Sequence, residues 1–190
     1  MSSQPLFVFA LRMEAQGFFD IRDALATGVG KVQAAYALTR RVSERRPSLI
    51  VNLGTAGSER LAPGTIVCCR RFVQRDMDVT GLGFPLGVTP FSDAPRILEH
   101  GLAIAGLRDA VCGSGDSFSV SAHDQSYDVV DMEAYALAYV AKREAVPFAC
   151  LKYISDGSDA GSAADWPRAL ETAAKALAKA VADHLDPVLG

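Results

Sequence analysis

The sequence has few of the residues that usually hold metals or cross-link a chain. Its three histidines, at positions 100, 123 and 184, are far apart, and its four cysteines show no Cys-x-x-Cys spacing. One of them, Cys150, lies within an apolar run. This pattern suits reduced, partly buried thiols in a cytosol better than a disulfide framework or a zinc site. We therefore expect no metal site.

Long apolar runs and an excess of positive charge are missing as well. No apolar stretch approaches the roughly 20 residues that a membrane span needs, and the N-terminal MSSQPLFVF lacks the basic region and cleavage site of a signal peptide. The net charge is −3, and the densest basic cluster, RRVSERR at 40–46, is expected to solvate a helix end. These features predict a soluble, cytoplasmic protein that binds neither membrane nor nucleic acid.

Strand-like apolar runs alternate with helical patterns along the chain. With 190 residues, 49% of them hydrophobic, it is long enough for one well-buried domain over residues 1–190. The alternation predicts an α/β domain whose sheet is covered on both faces. Buried or partly buried strands are predicted at 6–11, 48–54, 65–76, 109–118 with a following turn, 126–130 and 146–155, and helices at 31–44, from 132 onward, and at 167–185.

Acidic residues follow several of the predicted strands. Glu14 comes just after the first strand, Asp131 and Glu133 follow the strand at 126–130, and Asp156 ends the strand at 146–155. Each acid alone is equally typical of a helix start or a turn, because carboxylates favour those positions. Together they form a plausible acid/base constellation, since ligands of α/β folds bind where strands end.

Two small-residue loops and one Gly/Pro-rich loop are weaker signals. GVGK at 28–31 and GTAGS at 54–58 match neither a dinucleotide-binding nor a P-loop pattern, and they fit tight turns as well as ligand approach. The stretch at 76–90 carries Leu82 and Phe84, which either line a pocket or plug the core.

The chain as a whole resembles the nucleoside phosphorylase and nucleosidase superfamily. The segment VVDMEAYALAYVAKREAVPFACLKYISDGSD is most similar to 5′-methylthioadenosine/S-adenosylhomocysteine nucleosidases, which have V-E-M-E-A, a helix, and a strand ending in I-S-D. The resemblance continues in FALRMEA, GVGKVQAA, VNLGTAGS, RDMDVTGLGFPLGVTP and GSGDSF, in the family's order. It implies a three-layer αβα sandwich with a central mixed β-sheet.

The resemblance also implies roles for individual residues. Glu14 matches the carboxylate that activates water, Asp156 the acid that protonates the purine, with Ser155 orienting it, and Glu133 the acid that binds the ribose hydroxyls. This division of labour between an acid and a base is that of inverting glycosidases. The resemblance further implies a hydrophobic 5′ pocket formed by Val79, Leu82, Phe84 and Pro90. It implies that Phe118 stacks against the base, that Met132 packs beside the sugar, and that Trp166 is a lid aromatic. The other pocket positions that it implies, near the sugar and the base, are Val29, Thr55, Ala56 and Gly57.

The expected activity is hydrolysis of an adenosine-type nucleoside to its free base, without a cofactor, by a homodimer. A phosphorylase is the main alternative, but its second phosphate-binding arginine is replaced by Asn52, and the glycine-rich phosphate pattern near Arg12 is missing. A nucleosidase for another 5′-substituted adenosine, such as a hopanoid-pathway nucleoside, and a non-catalytic nucleoside binder are further alternatives. The chain departs from the family at Asp131, where Glu is usual, and has shorter segments after Glu14 and Pro90.

Overall fold

A computed structural model describes residues 4–20, 22–117, 126–156 and 162–189, apart from the side chains of Asp156, of 162–169 and of 188–189. Within these ranges the chain forms eight strands in one sheet. The strands are β1 (Leu6–Phe9), β2 (Ala24–Ala26), β3 (Ile50–Gly57), β4 (Ile66–Gln74), β5 (Leu98–Glu99), β6 (Arg108–Ser114), β7 (Val129–Asp131) and β8 (Phe148–Asp156).

Four α-helices accompany the sheet in the described ranges. They are α1 (Lys31–Glu44), α2 (Ala134–Arg143), α3 (Ser162–Ala180), which continues through a π-helical turn at Val181–Leu185, and α4 (Asp186–Leu189). Short 3-10 turns lie at Arg12–Glu14 and Thr80–Leu82. None of the helices in the described ranges is both long and apolar enough to cross a membrane.

Five of the strands close into a ring. β3 pairs with β7, β7 with β6, β6 with β4, β4 with β8, and β8 again with β3. The β3–β8, β4–β6 and β6–β7 pairs are parallel, whereas the β3–β7 and β4–β8 pairs are antiparallel. β1 and β2 extend the sheet in parallel beyond β3, and β5 pairs with β4. The predicted mixed sheet is confirmed.

Apolar side chains cover the sheet on both sides. Ala34, Leu38 and Val42 recur at helical spacing on α1, and they join the residues of α2 in one buried cluster. Leu177 and Val181, from α3 and the turn after it, belong to a second cluster with the opposite faces of β1, β3 and β8. Helices on both faces give the three-layer αβα arrangement.

Besides shifts of about one to three residues at several element ends, the structure differs from the sequence-based prediction in three respects. Residues 55–57, expected in a loop, continue β3, because Gly54 through Gly57 stay paired with β8. β2 and β5 were not predicted, since each is only two or three residues long and half or more of its residues are at least partly exposed. α3 begins at Ser162 rather than at Pro167, since the apolar spacing that predicted the helix starts only at Leu170.

Strand ends meet at one point of the sheet. The β3 residue Gly57 is the register partner of both Val130 in β7 and Asp156 in β8. Ser114, at the end of β6, pairs with Asp131. The sheet therefore brings together segments that are up to a hundred residues apart in sequence, and the acids predicted at strand ends lie in this region.

Candidate active site

Glu14 is buried in the 3-10 turn that follows β1. Only 8% of the residue is exposed, and its Oε2 accepts a hydrogen bond from the backbone N–H of Leu11 at 2.9 Å. Burial raises the pKa of the Glu14 carboxyl, while the Leu11 N–H and the Lys152 ammonium act in the opposite direction. A buried carboxylate whose pKa is raised is a stronger proton acceptor than a surface glutamate.

Glu133 lies at the start of α2 and reaches across to the start of α1. Its Oε1 accepts a hydrogen bond from the backbone N–H of Gly30 at 2.8 Å. Burial and the neighbouring Asp131 raise the pKa of Glu133 to about 7, against the opposing effects of Lys152 and the Gly30 N–H. The GVGK segment thus serves the site through a backbone amide, and Gly30 adopts a φ of 93°, which favours glycine.

Asp131 and Lys152 form a buried ion pair beside these two acids. Lys152 Nζ lies 2.8 Å from Asp131 Oδ2, and the two side chains are 3% and 2% exposed. Burial acts against both charges, yet Lys152 and the hydroxyl of Ser114 hold the pKa of Asp131 below its usual value, and Asp131 holds the pKa of Lys152 well above its usual value. Both groups are therefore charged at neutral pH.

Gly54 leaves room where Glu14 and Lys152 approach each other. A Cβ atom at this position would lie 3.3 Å from Glu14 Oε1 and 3.4 Å from Lys152 Nζ. Lys152 is also the register partner of Gly54 on the neighbouring strand. A side chain at position 54 would therefore crowd both charged groups, and glycine leaves them the space that they occupy.

A second ionic cluster lies at the rim of the site. The Lys31 ammonium pairs with Asp76 and lies 3.9 Å from Asp116 Oδ2. The backbone N–H of Lys31 donates to Asp116 Oδ1 at 2.8 Å, and the N–H of Asp116 donates to Asp76 Oδ2 at 2.8 Å. This network, the rim cluster, ties the start of α1 to the segments that follow β4 and β6.

The predicted 5′-pocket residues lie in the segment after β4. Val79 precedes the 3-10 turn, Leu82 is 74% exposed, and Phe84 packs edge-on against Phe91 with ring centroids 5.6 Å apart. The segment is tied back to β4 through a hydrogen bond from the Gly87 N–H to the Met77 carbonyl at 2.8 Å. The described contacts join it to the end of β4 rather than to the buried acids.

The remaining predicted residues are placed as follows. Thr55, Ala56 and Gly57 lie in β3 opposite the end of β8, where Ser155 is half-buried. Val29 is 43% exposed in the turn before α1, and Met132 is half-buried between the two acids that flank it. Phe118 lies outside the described residues, as do the side chains of Asp156 and Trp166, which belong to β8 and α3.

Sequence reasoning missed two residues of this site, Lys152 and Ser114. Lysine is almost never fully buried unless it is paired, so a lysine in the apolar run ACLKYIS was a usable signal for a buried acid nearby. Ser114 gave no such signal, because serine after a strand is common in turns. Its role depends on the pairing of β6 with β7, which the sequence alone does not reveal.

This arrangement suits acid/base chemistry on a neutral polar substrate. Glu14, Asp131, Glu133 and Lys152 are buried together, so three carboxylates outnumber one ammonium. Two of the carboxyl groups have raised pKa values, which is typical of sites that exchange protons near neutral pH. Hydroxyl groups of a ligand match such acceptors well, whereas an anion is repelled.

Known proteins resemble the chain in sequence. Residues 24–186 match the sequence profile of the Phosphorylase superfamily. A 5′-methylthioadenosine/S-adenosylhomocysteine nucleosidase of Haemophilus influenzae (strain PittEE) is 31% identical over 184 residues, covering 85% of this chain and 80% of the relative. The nucleosidase of the same name from Geobacillus kaustophilus (strain HTA426) is 31% identical over 182 residues, covering 85% and 77%.

Solved structures share the fold. A mutant nucleosidase of Helicobacter pylori, with 5′-methylthioadenosine in the active site, superposes with a TM-score of 0.85 at 20% identity, covering 96% of this chain and 98% of that chain. Futalosine hydrolase of Helicobacter pylori (strain 26695) superposes with a TM-score of 0.81 at 20% identity, covering 93% and 95%. At this identity the likeness establishes the common architecture.

Proposed function

The chain belongs to the phosphorylase superfamily, and from this premise we propose that it is a nucleosidase. It hydrolyses the N-glycosidic bond of an adenosine-type nucleoside, such as 5′-methylthioadenosine or S-adenosylhomocysteine, and releases the free base. The observation that carries the proposal is the buried group of Glu14, Glu133, Asp131 and Lys152, because these residues supply a base and a sugar-binding acid in one place.

Glu14 is proposed as the general base that activates water. Its carboxylate is buried, its pKa is raised, and Lys152 approaches the same space at Gly54. The ammonium favours the ionised form of Glu14, and burial strengthens that carboxylate as a proton acceptor. A water held by Glu14 would attack the anomeric carbon as the bond to the base breaks.

Glu133 is proposed as the acceptor for the two ribose hydroxyls. A hydroxyl-binding carboxylate fixes the sugar relative to the attacking water, and such positioning is a large part of catalysis. Among the described contacts, Gly30 donates to Oε1 of Glu133, and the other oxygen, Oε2, is proposed to accept from a ligand hydroxyl. Met132, half-buried beside it, is proposed to pack against the sugar.

Asp156 is proposed as the acid that protonates N7 of the leaving purine. Its backbone ends β8 opposite Gly57, so residues 55–57 and Ser155 are proposed to border the base. Phe118 and Trp166 stay predicted as the stacking and covering aromatics. Protonation of the base neutralises the charge that develops when the glycosidic bond breaks, which is worth about 10²–10⁴-fold in rate.

Water rather than phosphate is proposed as the nucleophile. Asn52 stands where phosphorylases have a phosphate-binding arginine, and its amide donates to the Val8 carbonyl at 3.2 Å while its oxygen accepts from the Cys150 thiol. Arg12 is exposed, and the buried ammonium of Lys152 is already paired with Asp131. A phosphate dianion would meet uncompensated carboxylates here.

The decisive experiment is a base-release assay with and without phosphate. Purified protein is incubated with 5′-methylthioadenosine, S-adenosylhomocysteine, adenosine and inosine, and adenine or hypoxanthine is measured together with the sugar product. We expect adenine and a free sugar at equal rates with and without phosphate. Phosphate-dependent release with a sugar 1-phosphate product would instead establish a phosphorylase, and binding without turnover would establish a nucleoside-binding protein.

Two substitutions test the assigned roles. Glu14→Gln is expected to keep substrate binding and lower turnover by about 10²–10⁴-fold, and Asp156→Asn is expected to abolish base release in a folded protein. Glu44→Gln, at an exposed position at the end of α1, is the matched control and should leave turnover unchanged. Unchanged turnover in either test variant removes that residue from the mechanism.

A different 5′ substituent is the second candidate for the substrate. The futalosine hydrolase among the solved structures shares this fold. Leu82 and Phe84 are proposed to form the 5′ pocket with Val79, and most residues of their segment are exposed or half-buried. Futalosine and a hopanoid-type 5′-extended adenosine therefore belong in the same assay. Preference for either over 5′-methylthioadenosine by the ratio kcat/KM would assign that substrate.

We also propose that two copies of the chain form a homodimer and that each is a single cytoplasmic domain. Several apolar side chains are unusually exposed, among them Val32 at 78%, Tyr36 at 66% and Phe91 at 100%. Exposed apolar groups of this size favour a protein partner. Light scattering after size exclusion is expected to give twice the monomer mass, and Val32→Glu with Tyr36→Glu should shift it to the monomer mass.

A further inference from the structure

Asp131 is assigned no contact with the substrate in the proposed chemistry, yet its carboxylate joins three parts of the site. Oδ2 accepts hydrogen bonds from the Lys152 ammonium at 2.8 Å and from the backbone N–H of Ala134 at 2.9 Å. Oδ1 accepts from the Ser114 hydroxyl at 2.5 Å. Every one of these donors is buried, so water does not compete for the carboxylate.

We propose that Asp131 is a positioning residue that couples the two halves of the site. Its carboxylate holds the Lys152 ammonium next to Glu14 and, at the same time, fixes the first turn of α2, from which Glu133 extends. The inference rests on the proposed function only in the roles of Glu14 and Glu133, because the coupling itself is a property of the unliganded protein.

The start of α2 depends on Asp131 and Ser114. The first two backbone N–H groups of the helix have no partner within the helix. That of Ala134 donates to Asp131, and that of Tyr135 donates to the Ser114 hydroxyl at 2.8 Å. Glu133 is the residue directly before this turn, so the direction of its side chain toward Gly30 depends on the same contacts.

The position of Lys152 depends on Asp131 as well. Among the side chains that the structure describes, Asp131 is the one ion-pair partner of Lys152. Glu14 and Glu133 both experience the charge of Lys152. Without the negative charge of Asp131, the ammonium would have to be compensated by one of these two acids, since an unpaired buried charge is costly.

Asp131 and Lys152 affect Glu133 in opposite directions. Among the described residues, the charged and titratable groups around Glu133 are Asp131 from β7, Lys152 from β8 and Glu14 from the turn after β1, and the thiols of Cys112 and Cys150 lie next to the pair. Asp131 raises the pKa of Glu133, and Lys152 lowers it. Removing Asp131 and Lys152 in turn should therefore shift the titration of Glu133 in opposite directions.

The backbone amide of Gly30 provides a readout that needs no catalysis. Because this amide donates to Glu133, its NMR chemical shift follows the ionisation of Glu133 as pH changes. In Asp131→Asn we expect the midpoint of this titration to fall by about one pH unit, and in Lys152→Met to rise by about one unit. Asp131→Glu keeps the charge and is expected to retain the wild-type midpoint.

Controls separate coupling from general damage to the fold. Asp23→Asn removes a paired carboxylate far from the site, the partner of Arg41, and should leave the Gly30 midpoint unchanged. If Lys152→Met does not fold, Asp131→Asn and Asp131→Glu still test the proposal. An unchanged midpoint in Asp131→Asn, or shifts of the same sign in Asp131→Asn and Lys152→Met, overturns it.

Activity measurements distinguish this inference from the proposed function. If the protein is an active nucleosidase, Asp131→Asn is expected to move the acidic limb of the pH profile of kcat/KM to lower pH, as it does the Gly30 midpoint. If the wild-type protein releases no base from any nucleoside while the Gly30 midpoints shift as expected, the proposed function fails and the coupling stands. If the wild-type protein releases base but the Gly30 midpoints do not shift in the variants, the proposed function stands and the coupling fails.

Discussion

Two ion-pair clusters hold the starts of the helices beside the site, and they differ in burial. Inside, Asp131 and Lys152 are 2% and 3% exposed, and Asp131 binds the first amide of α2. In the rim cluster, Lys31 and Asp76 are 16% and 28% exposed. There the carboxylate of Asp116 binds the amide of Lys31, the first residue of α1.

The same contact pattern has different consequences in the two places. Solvent screens the charges of the rim cluster, so its ion pairs add little to the free energy of unfolding. The inner pair is removed from water, so its charges act on every neighbouring acid, and loss of one partner leaves the other as an unpaired buried charge. Burial, more than the number of contacts, therefore decides which cluster controls the chemistry and which only shapes the entrance.

The largest difference between the clusters is expected when each lysine is removed. Lys152→Met leaves the Asp131 charge buried without a partner and is expected to lower the free energy of unfolding by about 3–5 kcal/mol. Urea denaturation at neutral pH measures it, with Lys31→Met as the matched variant of the rim cluster. Equal losses in the two variants would contradict the distinction between them.

Crowding the inner cluster is expected to have the next largest effect. A methyl group in Gly54→Ala would lie 3.3 Å from Glu14 Oε1 and 3.4 Å from Lys152 Nζ, and overpacking of this kind costs about 1–3 kcal/mol. Gly81→Ala is the control, because a Cβ atom there meets nothing within 4 Å. Urea denaturation of both variants should show a loss for Gly54→Ala alone, and turnover should fall with it.

The inner acids also predict how stability depends on pH. The pKa of Glu133 rises from an ordinary 4.5 to about 7 on folding, so the folded protein binds more protons than the unfolded chain between these values. The free energy of unfolding therefore falls as pH rises through this window. Asp131 has a lowered pKa in the folded protein. Its contribution to the free energy of unfolding is therefore complete at pH values above the ordinary pKa of an aspartate, and it is lost only as pH falls below that value.

Glu133→Gln tests this dependence. The urea concentration at the unfolding midpoint of the wild-type protein is expected to decrease as pH is raised from about 5 to about 7.5. The decrease should be smaller in Glu133→Gln. The part that remains is due in part to Glu14, whose pKa is also raised. Glu44→Gln, an exposed control, should keep the wild-type slope. An identical slope in Glu133→Gln would show that Glu133 is ionised throughout the range.

Local sequence patterns predicted much of the fold. The helix over 31–44 was predicted with its observed bounds, because the spacing of Leu38 and Val42 is a property of the helix itself. Closure of the ring was not predictable, because the β4–β8 pairing joins strands about eighty residues apart. Neither strand has a sequence pattern that identifies its partner. The short edge strands β2 and β5 lack the apolar run that signals a strand.

The site shows the same division between local and non-local information. Glu14 and Glu133 were found because acids after buried strands and a family resemblance both point to them, and the structure buries both. Lys152 was not found, because its partner Asp131 is twenty-one residues away and their contact depends on β7 and β8 lying in the same ring. Acids near the ends of strands can be recognised in the sequence, whereas the residues that lie opposite them cannot.

The smallest effect is expected at the rim cluster. Lys31→Met removes the ion pairs to Asp76 and Asp116, whose side chains are 28% and 44% exposed. It should lower the free energy of unfolding by about 1 kcal/mol or less. Because screening already weakens these pairs, the loss should shrink further between 0.05 and about 0.5 M salt. The effect of Lys152→Met should persist at high salt, since its pair is buried. A rim loss that does not change with salt would mean that Lys31 acts by packing its alkyl chain, and Lys31→Gln, which shortens that chain, would then cost more than Lys31→Met.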